Sequence, residues 1–275
     1  MSKKSLWSKQ SEKWKNVGSP TRPCFEDETI FTNLAFVNLI SNETKKVVVA
    51  GVTPELINNI KWPSNVELEA FDISLDMIKQ NWNPPSSLCA KVNQCDWRKL
   101  PLDDNSVDLI IGDGIFTALG SVKKMLEVLT EFKRILNSNG KIVLRNFTRP
   151  ENKEELSNIR LDANKGNIEN FGTLKWRLAT ALTNQETSIV TPKEIHSTFE
   201  KLFPDRKDLS LNSGWSLDQI ATIDSYEEMT SSFYFPTNDE ITKIFNNIFD
   251  IYEINQGSYE WSKYCPFITL NKKSD

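Results

Sequence analysis

From Lys46 to Phe147 the chain alternates between short apolar runs and stretches whose apolar residues recur every three or four positions. Such alternation predicts strands and helices in turn, the pattern of a parallel sheet covered by helices. The runs VVVAG, VELEAFD, LCAKVN, SVDLIIGD and KIVLRNF predict five strands. TPELINNI predicts a helix with Thr53 as N-cap and Pro54 in its first position, where the missing N–H removes no hydrogen bond. SLDMIKQNW predicts a helix capped by Ser74. Val122, Met125, Leu126, Leu129, Phe132 and Leu136 mark one face of a longer helix that stops at NSNG.

Outside this stretch the pattern changes. Two amphipathic helices are expected in the first forty residues, separated by the breaker GSPTRPC. Trp7 and Trp14 lie seven apart on the first, whose lysines (Lys3, Lys4, Lys9, Lys13, Lys15) make it basic, and Ile30, Leu34 and Val37 form the stripe of the second. Glu26, Asp27 and Glu28 open that second helix, where the helix dipole favours negative charge. After TRP the alternation is lost, and LKWRLATAL, PKEIHSTFEKLF and SLDQIATI read as helices of an insertion. NDEITKIFNNIF then predicts a capped helix, and FDIYEIN and CPFITLNK a closing antiparallel hairpin. The expected division is a helical cap over 1–44, a core over 45–150, a helical insertion over 151–236, and 237–275 completing the core sheet.

Composition narrows the function. Thirty-three Lys and Arg against 37 Asp and Glu give a net charge of −4. Proteins that neutralise many phosphates need a basic excess on one surface, so nucleic acid is not the expected partner. No run approaches the ~20 apolar residues of a membrane span, and no apolar segment follows the basic N-terminus as in a secretory signal. One histidine and four scattered cysteines (Cys24, Cys89, Cys95, Cys265) lack the close spacing of a zinc site, so no metal is expected. Reduced thiols and a cytoplasmic location follow as expectations.

Ligands of a doubly wound sheet bind at the carboxyl ends of its strands. Gly51 sits where the first strand turns, and its lack of a side chain lets backbone amides approach a ligand. Asp72 ends the second strand 21 residues later, placed to accept hydrogen bonds from vicinal ribose hydroxyls. Asp96 follows after a further 24 residues with Trp97 beside it, a pair suited to the amine and face of an adenine.

With these residues the chain resembles the class I S-adenosylmethionine-dependent methyltransferases, over about 46–147 and again 237–272. VVVAGVTPEL stands at the family's first motif, AFDIS at its ribose acid, QCDW at its adenine acid, LIIGDG at its fourth motif, and FKRIL with NSNGKIVL at the segment before the fifth strand. GVTPEL, PLDDNSVDLIIGDG and LRNFTRP look like a bacterial branch of that family. The resemblance implies an α/β fold: a Rossmann-like, doubly wound, seven-stranded sheet whose sixth and seventh strands form a C-terminal antiparallel hairpin. Its cofactor, S-adenosyl-L-methionine, is expected against Gly51, Thr53, Asp72, Ile73, Asp96, Trp97 and Asp113.

Only one glycine remains in the first motif, with Val52, Thr53 and Pro54 following. The G-x-G-x-x-G that brings a chain against a pyrophosphate is absent, which argues against a nicotinamide dinucleotide. Asn83-Pro84-Pro85-Ser86 matches the motif of base-amine methyltransferases in letters but precedes the third strand, not follows the fourth, and reads as a turn. Asp113 is the candidate catalytic residue, with a turn or cap role as its alternative. Phe116 is a candidate wall for the methyl site, and Trp14, Arg22, Arg145, Lys175, Trp176 and Tyr234 are candidate substrate contacts, together with Trp215 and Tyr226. Arg22 and Arg145 are placed there as forks for a carboxylate. His196 falls beside the apolar stripe Ile195, Phe199 and Leu202 and reads as structural rather than as a base. The expected activity is methyl transfer to an O, N or other nucleophile of a small-molecule acceptor, a metabolite or natural-product precursor. The alternatives are a non-catalytic nucleoside-binding relative and, further off, a nicotinamide-dependent oxidoreductase.

Overall fold

The computed structural model describes residues 16–36, 39 and 43–273. Trp7, Trp14, the N-terminal lysines and Val37 lie outside the described residues. The strands are β1 (Lys45–Ala50), β2 (Val66–Asp72), β3 (Cys89–Gln94), β4 (Val107–Asp113), β5 (Leu136–Arg145), β6 (Ile189–Val190), β7 (Phe233–Tyr234), β8 (Phe249–Asn255) and β9 (Phe267–Lys272). Seven of them form one sheet in the order β3-β2-β1-β4-β5-β9-β8. Strands β1 to β5 pair in parallel, and β9 runs antiparallel to both β5 and β8. This is the expected Rossmann-like methyltransferase fold with its closing antiparallel hairpin.

The central strands show why the sheet forms here. Val47, Val49, Leu109 and Ile111 face one apolar cluster, while Val48, Ala50 and Ile110 face the other, so consecutive residues of β1 and β4 serve opposite layers. Burying each of the larger side chains contributes roughly 1.5–3 kcal/mol. The helices are α1 (Phe25–Phe36), α2 (Leu75–Asn81), α3 (Ile115–Leu119), α4 (Val122–Ile135), α5 (Leu156–Asn164), α6 (Phe171–Leu182), α7 (Pro192–Leu202), α8 (Arg206–Ser213), α9 (Leu217–Ile220) and α10 (Asn238–Ile248). Met125, Val128, Leu129, Phe132 and Ile135 make the buried stripe of α4. Ser74 caps α2 by accepting from the Met77 N–H at 3.3 Å.

Three local expectations are corrected. After β1, Glu55–Asn59 form a five-residue π-helical turn with Pro54 at its N-cap. Thr53 supplies its carbonyl, which accepts from the Leu56 and Ile57 N–H groups at 3.1 and 3.3 Å, rather than a side-chain cap. Leu136 belongs to β5, pairing with Val107 before a bulge, instead of ending the helix. The insertion is not purely helical, because β6 and β7 pair antiparallel over two residues each, too short to leave a period-two pattern. Helix α6 is buried from Phe171 to Ala181 and runs through an apolar cluster of its own, with Phe199, Trp215, Tyr226 and Phe233 around it. No helix among the described residues is long and apolar enough to cross a membrane.

Candidate active site

A crevice of about 280 Å³ opens at the carboxyl ends of β1, β2 and β4, where the strand order reverses. Gly51, Thr53, Asp72, Ile73, Asp96, Trp97 and Asp113 all line it. The first strand ends with Gly51 donating its N–H to the Phe71 carbonyl at 2.8 Å, and the chain then turns with φ +97° at Gly51. Only a residue without Cβ adopts that conformation freely. A Cβ placed there would stand 3.7 Å from Trp97 and 3.9 Å from the Asp72 carboxylate, so these three positions converge on one small space.

Asp72 is held by the Ser74 N–H, which donates to Oδ1 at 2.7 Å, and by the Val52 N–H. Burial nevertheless pushes its pKa from 3.8 up to about 6, against those two donors. The Trp97 indole N–H donates to the Phe71 carbonyl at 2.6 Å and fixes the ring at the crevice wall. Asp96 arrives with its carboxylate already engaged. Arg98 donates its backbone N–H and Nε to Oδ1 at 3.0 Å each, and Nη2 to Oδ2 at 2.6 Å. That pairing holds the Asp96 carboxyl below its usual range. Arg98 and Lys124 thus join the crevice wall, two cations the motif reading did not include. Arg98, two residues past Asp96 in QCDWRKL, carried the readable signal.

Asp113 is enclosed by Arg145, whose Nε donates to Oδ1 at 2.6 Å and Nη2 to Oδ2 at 3.1 Å. Desolvation raises the Asp113 pKa to about 6 even against that guanidinium. The fork expected to grip an anionic substrate group or the cofactor carboxylate is instead taken up by Asp113. Arg145 is fully buried and, besides Asp113, donates to Asp27 Oδ2 at 2.5 Å, to the Tyr259 hydroxyl at 3.2 Å and to the Pro20 carbonyl at 2.9 Å. Tyr259 in turn donates to Asp27 Oδ1 at 2.9 Å. Asp27, read from sequence only as a helix-dipole residue, is the fully buried link between α1 and the ends of β4 and β5.

Other substrate candidates also lie off the crevice. Arg22 donates Nε and Nη2 to Glu55 Oε1 at 2.8 and 2.5 Å. Phe116 is buried against Phe245, centroids 5.8 Å apart, on the sheet side. Lys175 and Trp176 sit inside α6, with Trp176 packed 5.0 Å from Phe147 and 5.1 Å from Phe235. Trp215 and Tyr226 belong to the same insertion cluster, and Tyr234 is buried in β7. Side-chain length and charge suggested contacts for these residues, but Trp176, Trp215 and Tyr226 pack within the insertion's cluster, Phe116 and Tyr234 pack against the core sheet, and Arg22 and Lys175 bond to protein groups. His196 lies 3.8 Å from Asp224 in the insertion, and Arg206 holds both carboxylates of that neighbourhood, Asp224 at 2.6 Å and Glu200 at 2.5 Å.

Residues 56–144, about a third of the chain, match the family model described as a methyltransferase domain. No curated protein matches the chain. Three solved structures share its fold. A Rhodobacter sphaeroides protein provisionally named a Zn-dependent alcohol dehydrogenase is 11% identical, with 96% of this chain and 99% of that one aligned at a TM-score of 0.59. The PH0226 protein of Pyrococcus horikoshii OT3 is 16% identical over 94% and 98%, TM-score 0.53. The N-methyltransferase NodS of Bradyrhizobium japonicum WM9, in complex with S-adenosyl-L-homocysteine, is 9% identical over 97% and 100%, TM-score 0.50.

Proposed function

We propose that this methyltransferase, with S-adenosylmethionine as its cofactor, transfers the methyl group to a nucleophilic atom of a small-molecule acceptor. The observation that carries the reading is the convergence of Gly51, Asp72 and Trp97 on one crevice, in a core whose residues 56–144 match a methyltransferase domain. The residues suit an adenosyl group. Asp72 keeps lone pairs free for two ribose hydroxyls, Trp97 offers an apolar ring fixed in place, and the open turn at Gly51 leaves backbone within reach. The small volume and the absence of a basic excess favour a small acceptor over a polymer. Four free thiols accord with a cytoplasmic setting, and the GVTPEL turn accords with the bacterial branch named above.

S-Adenosylmethionine supplies a sulfonium-bound methyl group, open to in-line displacement by a nucleophile. The chain's own contribution is alignment, the largest source of acceleration available to such a step. Asp72 and the Gly51 turn hold the nucleoside, while α1 and the residues before it close over the strand ends through Asp27 and Arg145. Asp113 marks the reacting end of the crevice. With both oxygens accepting from Arg145, its role is to present a fixed negative edge there rather than to take up a proton. That same pairing also favours a second reading, a protein that holds the nucleoside without transferring methyl groups.

Calorimetry with S-adenosylmethionine, S-adenosylhomocysteine and NADH should show binding of both adenosyl ligands and none of NADH. Failure of both adenosyl ligands to bind would sink the main reading. Release of S-adenosylhomocysteine across a metabolite panel then separates an enzyme from a binder.

A further inference from the structure

The insertion brings together a second set of chemically capable side chains. Helix α7 places His196 and Glu200 four positions apart, on the same face one turn from each other. The 3-10 helical stretch Ala221–Tyr226, which continues from α9, brings Asp224 against them. His196 Nε2 stands 3.8 Å from Asp224 Oδ1. One ligand atom from each of His196, Glu200 and Asp224 lies within 4.8 Å of the other two, and among the described residues this is the one place where three such atoms converge so closely.

A cation already occupies this convergence. Arg206, the first residue of α8, donates from the single nitrogen Nη2 to Glu200 Oε1 at 2.5 Å and to Asp224 Oδ1 at 2.6 Å. A guanidinium usually spans one carboxylate with two nitrogens, whereas here one nitrogen bridges two carboxylates, the contact that a bound metal ion makes. The Arg206 side chain is 28% exposed, so rotation about its own bonds takes the guanidinium into solvent. The distances suit a small ion. Zinc bonds imidazole nitrogen and carboxylate oxygen at about 2.0–2.2 Å, which sets tetrahedral ligand atoms about 3.4 Å apart. His196 and Asp224 are close to that spacing, and the flexible Glu200 side chain closes the remainder.

We propose that His196, Glu200 and Asp224 bind a divalent transition-metal ion, with Zn²⁺ as the probe, which takes the place of the Arg206 guanidinium and keeps one position for water. The ion staples α7 to Ala221–Tyr226, two elements that contribute Phe199 and Tyr226 to the insertion's apolar cluster. One imidazole with two carboxylates suits zinc and its first-row neighbours better than Mg²⁺ or Ca²⁺, which favour oxygen alone. None of these residues lines the crevice, so the site stands apart from methyl transfer. Asp224 joins from 24 positions beyond Glu200, and no zinc-type spacing announces it.

The whole protein, stripped of metal by chelation and with its accessible thiols alkylated so that Cys89 cannot compete, is titrated calorimetrically with Zn²⁺ and with Mg²⁺ at about pH 7.5. One equivalent of Zn²⁺ should bind, and Mg²⁺ should bind more weakly. His196→Ala and Glu200→Gln should each weaken Zn²⁺ by roughly tenfold or more, and Arg206→Met should tighten it by roughly tenfold, because the competing charge-assisted hydrogen bonds are gone. Zn²⁺ should also raise the melting temperature of wild type and leave that of His196→Ala unchanged. The proposal is overturned by a wild type that binds no Zn²⁺, by equal binding to wild type and His196→Ala, which marks an adventitious ion only, or by an Arg206→Met protein that binds no more tightly. Should Arg206→Met not fold, the His196→Ala and Glu200→Gln titrations decide.

Discussion

Asp72 offers the sharpest test of the site, because the ribose reading needs its ionised form and burial opposes that form. With its pKa raised to about 6, the fraction of protein able to accept from ribose hydroxyls falls steeply in mildly acidic buffer. The apparent Kd for a ligand of the ionised form is multiplied by about 1 at pH 7.5 and about 11 at pH 5, a loss of about 1.4 kcal/mol. Adenosine is the probe of choice, since it carries the ribose but no chain extending toward Asp113. Its binding can be followed by quenching of tryptophan fluorescence, Trp97 being on the crevice wall. Asp72→Asn should weaken binding by roughly tenfold to a hundredfold at pH 7.5, from loss of charge-assisted hydrogen bonds, and should lose most of the pH dependence. A wild-type affinity that stays flat from pH 7.5 to 5, or an Asp72→Asn protein with the same slope as wild type, refutes the reasoning. Stability moves the other way. Between pH 3.8 and 6 the folded protein keeps a proton that the unfolded chain has released, so this group's contribution declines as pH rises through that window. Above it, the buried charge leaves the apo protein about 3 kcal/mol less stable than the neutral form would, and Asp72→Asn should melt higher while binding worse.

Other perturbations follow from the same geometry. Lys175 is 2% exposed with one hydroxyl partner, Thr222 Oγ1 at 3.3 Å, and burial lowers its pKa from 10.5 to about 8. Below pH 8 it is charged in both states and carries its full burial penalty, which fades as pH rises to 10.5, so Lys175→Met should gain about 3 kcal/mol in urea melts at pH 7 and progressively less above pH 8; a gain that does not shrink with pH refutes this. Gly51→Ala forces φ +97° on a residue with a Cβ and fills the space between Trp97 and Asp72. A loss of about 1–2 kcal/mol and at least roughly tenfold weaker adenosine binding are expected, and unchanged melting and affinity would contradict the turn's role. Arg145→Met strands Asp27 and Asp113 as buried charges and should cost about 3–5 kcal/mol by denaturant midpoint, with Asp27→Asn restoring part of it. A loss below about 1 kcal/mol would show that the network does not hold the cap.

The crevice was legible because strand ends are set by local pattern. Once VVVAG, VELEAFD and SVDLIIGD are read as neighbouring parallel strands, the residues following them must meet at one edge, and Gly51, Asp72, Trp97 and Asp113 do. The surroundings of the candidate substrate contacts were not legible. Arg145 looks like a free cation in KIVLRNF, yet its partners stand 118 and 32 positions away in sequence, and no local signal announces them. Lys175 misled for the opposite reason. A lysine in LKWRLATAL reads as a candidate substrate contact, whereas α6 is buried within the insertion's own apolar cluster. The two-residue strands β6 and β7 lie below the length at which alternation can be counted.

The same buried charges connect stability to binding. Asp72 and Asp113 both sit on the crevice with pKa values near 6, each held ionised at neutral pH against desolvation. A hydrophobic replacement of such groups is commonly neutral or stabilising, so a folding requirement does not explain them. Their positions do: both line the crevice, where the proposed function puts Asp72 at the ribose, and Arg145 ties Asp113 to Asp27 on α1 and to the Pro20 carbonyl before that helix. Ligand binding that supplies donors to Asp72 lowers its pKa and returns stability that the apo protein lacks. The gain should therefore exceed that of an Asp72→Asn protein given the same ligand at the same saturation, because only the ionised carboxylate has a desolvation penalty to relieve.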